Sequence, residues 1–250
     1  MIQYVMQLLS LCRREKMSNF MESRREARMY LSPDAQEVDA RTYTLVLGGV
    51  VVYGLVLNII MCATLGDSMS HVNPIALLIG YFVSCLIGIF MSHKSNNPII
   101  SFIGYNLVVV PCGLIVSLVV SAYVRAGAGD IVLQAFIYTA IITACMIGLS
   151  IAIPEFFSKI GGLLLGALVG LILAELINIF FIHKDQSYIA WIGAAIFSLY
   201  IGYDYWRAQQ YAKTIDNAVD SAVDIYLDMI NLFLKILRVL GSRGGSSRRI

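Results

Sequence analysis

Residues 99–124 read IISFIGYNLVVVPCGLIVSLVVSAYV, a run of 26 residues without a charged side chain. A helix of about 20 apolar residues is long enough to cross the roughly 30 Å of hydrocarbon in a bilayer. The same composition extends along the chain, which is 58% hydrophobic and only 14% charged, against about 25% charged in soluble proteins. The sequence therefore predicts an integral membrane protein.

Seven stretches are long and apolar enough to be membrane spans. They are residues 43–65, 74–92, 99–124, 131–153, 160–182, 187–206 and 221–240. Backbone polar groups in hydrocarbon must be paired within their own segment, and the alternating pattern of barrel strands is absent, so the spans are predicted to be helices. We expect an all-α protein with a flexible N-terminal extension (1–42), a seven-span domain (43–240) and a C-terminal tail (241–250).

The charges of the N-terminal extension predict the orientation. The extension contains seven Lys or Arg residues, and basic segments tend to remain in the cytoplasm. Seven spans would then place the C-terminus outside, which conflicts with four arginines in the last thirteen residues. Either the short tail is translocated despite its charge, or the last helix is only partly inserted.

The sparse charge in the middle of the chain excludes several functions. Only nine charged residues lie between residues 43 and 200, and the net charge is +2, so no nucleic-acid partner is expected. The five cysteines lack CxxC or Cys/His spacing, which argues against a zinc site or a disulfide. No cofactor fingerprint or phosphate loop is present, so we expect no cofactor and disfavour an ATP-driven pump.

A stripe of small residues runs along the fifth span. Gly162, Gly166 and Gly170 are followed by Ala174, which places a small residue at every fourth position. Such a stripe allows another helix to approach closely. We therefore expect this face to pack against a helix.

Acidic residues in the last spans are the candidate functional residues. A charge at the bilayer centre costs at least about 2.5–3.5 kcal/mol on insertion scales, so each one requires a reason. Four aspartates recur at every fourth position and form a slowly rotating stripe that water can follow: Asp216, Asp220, Asp224 and Asp228. Asp204 ends the sixth span, and the short loop to the seventh span allows Asp204 and Asp228 to face one another.

A facing pair of carboxylates supports several kinds of chemistry. In a low dielectric the two groups cannot both ionise cheaply, so they share a proton and sense pH. When ionised they bind Ca²⁺, which prefers about six to eight oxygen ligands, so Asp224, Asn231, carbonyls or waters would complete the shell. The same pair could activate water for peptide hydrolysis. In the simplest alternative, Asp204 caps a helix end and Asp228 is a hydrogen-bonded packing residue.

Glu175 is the other acid within a span and lies toward the outer end of the fifth. It either helps to coordinate an ion or hydrogen-bonds Asn178, one turn further on. His71, His93 and His183 lie near span ends, where an interfacial histidine is usual, so none is assigned chemistry.

The C-terminal third carries motifs of a known family. Residues 197–204 read FSLYIGYD and residues 225–238 read IYLDMINLFLKILR, which places the two aspartates 24 residues apart. With these motifs the chain resembles the Bax inhibitor-1 family, the transmembrane Bax inhibitor motif proteins, and especially its bacterial members. Residues 178–180 (NIF) and 41–43 (RTY) also fit.

The resemblance implies a fold and a function. The fold has seven helices, with the last one central and ringed by the other six. The function is a pH-sensitive calcium leak in a bacterial inner membrane, with Asp204 and Asp228 as the sensor near the cytoplasmic side. Family members can carry an arginine at the inner end of the second span that engages this pair. Here His93 or Lys94 replaces it, unless the contact is lost.

Two other classes of function stay open. An intramembrane aspartyl protease would share the Tyr203-Asp204 half of the presenilin-type motif, but Asp228 lacks the GxGD context of the second aspartate. A scaffold that regulates membrane-protein turnover or cell death would need neither aspartate. We expect no enzymatic activity; the expected partners are the lipid bilayer, calcium and protons, and the sequence indicates no particular protein partner.

Overall fold

The computed structural model describes residues 28–29, 36–65, 73–94, 97–178, 181 and 187–246. The described residues form seven long helices and no strand, with one isolated antiparallel bridge between Glu37 and Thr214. The helices are α1 (Ala40–Leu65), α2 (Pro74–Lys94), α3 (Pro98–Arg125), α4 (Gly129–Ala152), α5 (Pro154–Ile177), α6 (Ser187–Gln209) and α7 (Ile215–Ser246). The predicted all-helical class is confirmed.

Local sequence signals explain where several helices begin. Three helices start with a proline, whose missing N–H has no partner to lose at that position: Pro74, Pro98 and Pro154. Before α3, the side chain of Asn97 accepts a hydrogen bond from the Ile99 amide (3.0 Å). Before α1, Asp39 accepts hydrogen bonds from the hydroxyl and the amide of Thr42, and these bonds lower the pKa of Asp39.

Four helices are long and apolar enough to cross a bilayer, namely α1, α3, α4 and α5. The described part of α2 contains a shorter apolar stretch, Ile79–Gly88. The sequence of α7 includes four aspartates, which lower its hydropathy, so composition alone does not identify it as a span. The protein is therefore a helical membrane protein, and the four long apolar helices form its clearest membrane segments.

The last helix, α7, is buried over most of its length. Every residue from 216 to 237 is buried. The helix packs against α1, α3, α4 and α6. Its polar side chains are therefore surrounded by other helices rather than by lipid or bulk water.

The glycine stripe of α5 does not pack as predicted. A Cβ added at Gly162, Gly166 or Gly170 would meet no atom of the described chain within 4 Å. The neighbouring Gly161 makes the close contact instead, because a Cβ there would lie 2.6 Å from the Tyr203 hydroxyl oxygen. The prediction was wrong because the spacing of small residues identifies a smooth face without showing which side of the helix meets protein.

A backbone contact between α2 and α3 makes Gly88 sensitive to substitution. A Cβ at Gly88 would lie 2.5 Å from the carbonyl oxygen of Gly104. We expect Gly88→Ala to destabilise the protein by about 1–3 kcal/mol, as overpacking generally does. The loss is measured as a lower temperature at which the purified protein leaves its monodisperse size-exclusion peak. Gly80→Ala is the control, since no described atom lies within 4 Å of its Cβ position; equal effects of the two variants would contradict the contact.

Candidate functional site

The candidate site lies where the end of α6 meets the first half of α7. Asp204 on α6 is 2% exposed, and Asp228 on α7 is fully buried. Asp224 and Asp220, one and two turns before Asp228, are 8% and 2% exposed. Because these carboxylates are withdrawn from water, their charges have to be balanced within the protein.

Arg207 joins two of these carboxylates. Its Nη2 lies 3.2 Å from Oδ1 of Asp204 and 3.0 Å from Oδ2 of Asp224. The guanidinium also lies over the ring of Tyr203, 5.5 Å from its centroid. The Arg207 side chain is only 16% exposed. One largely buried cation therefore connects α6 to α7 through an acid on each helix.

The predicted pair Asp204 and Asp228 lies on two helices that pack against each other, α6 and α7. Asp204 is connected through Arg207 to Asp224, which is one turn before Asp228. Arg207 is absent from the residues predicted above, although its spacing of three from Asp204 on a helix is a signal for an ion pair. Within the described ranges, no three His, Cys, Asp or Glu side chains converge closely enough to hold a metal ion.

The side chains of His93 and Lys94, which were expected to replace the family's arginine, lie outside the described residues. The helix that carries them, α2, ends at Lys94. Arg207, three residues after Asp204, supplies a cation to this aspartate from the same helix.

Two further predicted residues are Asn231 on α7 and Glu175 on α5. Asn231 is fully buried, and its Nδ2 donates to the carbonyl of Leu227 (2.8 Å), while its Oδ1 accepts no hydrogen bond from the described residues. Glu175 on α5 is also fully buried and accepts a hydrogen bond from Nζ of Lys235 on α7. Neither predicted role of Glu175 included Lys235, because the two residues lie in different spans, 60 positions apart.

Arg28, in the N-terminal extension, docks on the start of α7. Its guanidinium donates to the side chain (3.0 Å) and the carbonyl (3.1 Å) of Asn217 and to the hydroxyl of Ser221 (3.0 Å). Its own carbonyl accepts the amide of Ala212 (2.9 Å), and its guanidinium lies 4.1 Å from the ring centroid of Tyr211. No pattern in the sequence indicates this role, because the surrounding residues contain several other arginines.

The charge of Arg28 is favoured by the acidic stripe. Burial alone would lower the pKa of Arg28, but Tyr211 and the carboxylates of Asp220 and Asp224 raise it above its ordinary value.

Further along the extension, the amide of Val38 donates to the carbonyl of Lys213 (2.8 Å). The extension and the loop between α6 and α7 therefore lie at the same end of the bundle.

A comparison with known families agrees with the sequence motifs. Residues 35–245 match the family described as Bax1-I, inhibitor of apoptosis-promoting Bax1. The chain belongs to the Bax inhibitor-1 family. The family resemblance drawn from the motifs around Asp204 and Asp228 is thereby confirmed.

Bacterial relatives of this Bax inhibitor-1 family member include proteins from three genera. An uncharacterized protein of Helicobacter pylori strain J99 is 30% identical over 165 residues, which cover 64% of this chain and 70% of the relative. An uncharacterized protein of Borreliella burgdorferi is 35% identical over 95 residues, 34% of this chain and 41% of the relative. An uncharacterized membrane protein of Streptococcus pyogenes serotype M3 is 30% identical over 136 residues, 52% of this chain and 58% of the relative.

The bridging position of Arg207 predicts a stability defect when it is removed. Arg207→Ala would leave two buried carboxylates without this cation, and breaking a buried ion pair in this way is expected to cost about 3–5 kcal/mol. The deficit is expected to shrink at low pH, because a protonated carboxyl group no longer needs the cation. Thermal unfolding of the purified protein at several pH values measures both effects.

Arg125→Ala is the matched control, because Arg125 is exposed at the end of α3. It should leave the unfolding temperature nearly unchanged at every pH. An Arg207→Ala deficit that is equal at neutral and acidic pH would contradict the bridge between Asp204 and Asp224.

Proposed function

We propose that this Bax inhibitor-1 family protein is a calcium leak channel or transporter whose activity responds to pH through Asp204 and Asp228. The observation that carries the proposal is the burial of both carboxylates on adjacent helices, with Arg207 linking Asp204 to the same acidic stripe. Buried acids in a membrane protein are costly, and they commonly mark ion or proton pathways.

The proposal includes a seven-span arrangement in which α7 is central and surrounded by the other six helices. The unbroken burial of residues 216–237 supports this arrangement. A helix that carries four aspartates can cross hydrocarbon only if neighbouring helices shield those charges from lipid. The low hydropathy of α7 then follows from its position and does not argue against a span.

Protons and calcium would compete for the same oxygens. Ionised Asp204 and Asp228 supply hard oxygen ligands, and Asp224 and the Oδ1 of Asn231 lie one turn away from Asp228 along α7. Waters and backbone carbonyls would complete the shell. Protonation of Asp204 removes one of the two charges that hold Arg207, so calcium binding weakens as the pH falls and the contact between α6 and α7 changes.

The aspartyl protease is less well supported by the geometry. Hydrolysis in a membrane requires an extended substrate whose backbone is paired by the enzyme, usually at a broken helix or a loop. Here α7 runs without interruption from Ile215 to Ser246 through Asp228, so its backbone groups pair within the helix. The scaffold alternative predicts that both aspartates can be replaced without consequence.

The direct test is calcium flux into liposomes that contain the purified protein, measured across pH. Asp204→Asn and Asp228→Asn are each expected to abolish the pH response, because an amide keeps the volume of the carboxyl group but cannot gain or lose a proton in this range. The ratio of fluxes at acidic and neutral pH should fall to about one in both variants. Asp130→Asn, at an exposed position in the first turn of α4, is the control and should keep the response.

The outcomes separate the three classes of function. A pH profile that both variants share with the unmodified protein would remove the aspartate pair from the mechanism. An absence of flux in every sample would favour the scaffold. Cleavage of single-span substrates that is lost in Asp204→Ala and Asp228→Ala would establish the protease instead.

We also infer that the N-terminus and the 207–220 loop face the cytoplasm of a bacterial cell. The contact of Val38 with Lys213 supports a shared end, and the basic extension supports the cytoplasmic side. In a variant without native cysteines, Gln210→Cys is expected to be labelled in inside-out vesicles but not in intact cells. Ala126→Cys, in the loop after α3, should show the reverse. Labelling of Gln210→Cys in intact cells would contradict this orientation and place the 207–220 loop outside the cell.

A further inference from the structure

Six polar side chains of α7 form one stripe along its buried run. They are spaced by four or three residues: Asp216, Asp220, Asp224, Asp228, Asn231 and Lys235. None of them is more than 9% exposed. From the first to the last, the helix rises by roughly 28 Å at 1.5 Å per residue, close to the thickness of the hydrocarbon. The stripe is anionic at the end near the α6–α7 loop and ends in a cation.

The side chain of Lys235 lies against two other helices, α5 and α6. Its ammonium donates to the carboxylate of Glu175 on α5, and both side chains are fully buried. Its stem lies against Gly193 of α6, where an added Cβ would come within 2.7 Å of Cε of Lys235 and 3.3 Å of Cδ2 of Leu171. The missing side chain at position 193 therefore provides the space that Lys235 occupies.

Stability alone does not account for this ion pair. Two charges taken out of water lose solvation that their mutual attraction only partly returns, and apolar residues of similar volume are often as stable or more stable. Leu occurs at five other positions of α7 and Met at one, so an apolar residue would fit the pattern of the helix. The ion pair is therefore expected to act on the ions that reach the stripe, through the positive charge of the ammonium.

The ammonium lies beyond Asp228 on the same helix that carries the acidic stripe, and so on the ion path proposed above. Lys235 is seven residues after Asp228, which is about two turns or 10 Å further along the helix. A cation that leaves Asp228 toward this end would approach a positive charge in a region of low dielectric, where repulsion over such a distance is substantial. The carboxylate of Glu175 on α5 compensates the charge of Lys235. The ammonium itself belongs to the stripe on α7.

We propose that Lys235 is a charge barrier that limits the passage of divalent cations beyond Asp228, and that Glu175 holds the ammonium in place. The inference rests on the ion path proposed above and adds the residue that sets its basal leak and its charge selectivity. Repulsion grows with the charge of the permeating ion, so the barrier acts more strongly on Ca²⁺ than on K⁺.

The test compares flux through liposomes that contain the purified protein or the double variant Glu175→Gln/Lys235→Met. The double variant keeps the volume of both side chains and leaves no buried charge without its partner, so it should fold. At fixed pH, we expect its calcium flux to rise at least tenfold over that of the unmodified protein, and the ratio of Ca²⁺ to K⁺ flux to rise with it. Lys159→Met, which removes an exposed lysine of α5, is the control and should change neither quantity.

A double variant that remains monodisperse and unfolds at the same temperature, yet conducts calcium like the unmodified protein, would overturn the barrier. Equal increases for Ca²⁺ and K⁺ would also overturn it, because they would indicate a widened pore without charge selection. If flux does not respond to Asp204→Asn or Asp228→Asn, the pH sensor fails. The comparison of the double variant with the unmodified protein still decides the role of Lys235.

Discussion

The structure depends on the balance of charge along one buried helix. Asp220, Asp224 and Asp228 of α7 are withdrawn from water, as is Asp204 on the neighbouring helix. An isolated carboxylate in such a place would be prohibitively costly, so the helices around α7 have to bring compensating groups as well as apolar surface. The packing of α7 therefore depends on the balance of its charges as well as on the fit of its side chains.

The compensating cations come from three separate parts of the chain. Arg28 reaches the start of α7 from the N-terminal extension, and Arg207 reaches Asp224 of α7 from the end of α6. Lys235 belongs to α7 itself and is neutralised by Glu175 from α5. The stripe therefore has arginines at its acidic end, near the α6–α7 loop, and an enclosed lysine at the other end.

Hydrophobic pattern alone predicts much of this fold, because membrane helices must pair their own backbone groups and must be long enough to cross the bilayer. The first four predicted spans agree with α1 to α4 within about three residues at each end. The fifth was predicted from residue 160, but α5 begins at Pro154, because a proline that looks like a helix break also stands at the first position of a helix. The seventh span was predicted from residue 221, but α7 begins at Ile215. Its first turns are polar, so they do not belong to the apolar run from which the span was predicted.

The site was less predictable than the fold. Asp204, Asp228 and Glu175 could be identified because a charge in an apolar run is conspicuous in any sequence. The pairing of Glu175 with Lys235 could not be identified in the same way, since it arises only when distant helices meet. The face of α5 that carries Gly162 was misjudged for the same reason, as a helix pattern does not reveal its neighbours.

The cations at the two ends of the stripe are held in different ways. A guanidinium stays charged at any pH at which the protein is folded, so only the carboxylates around it can change the network. Arg207 is shared by Asp204 and Asp224, and the loss of one partner leaves it held by the other. At the far end, Glu175 and Lys235 form an ion pair in which both side chains are fully buried, so the loss of either charge leaves the other charge in a buried place. At the acidic end one cation is therefore shared by two acids on two helices, whereas at the far end the charges of Glu175 and Lys235 are enclosed together.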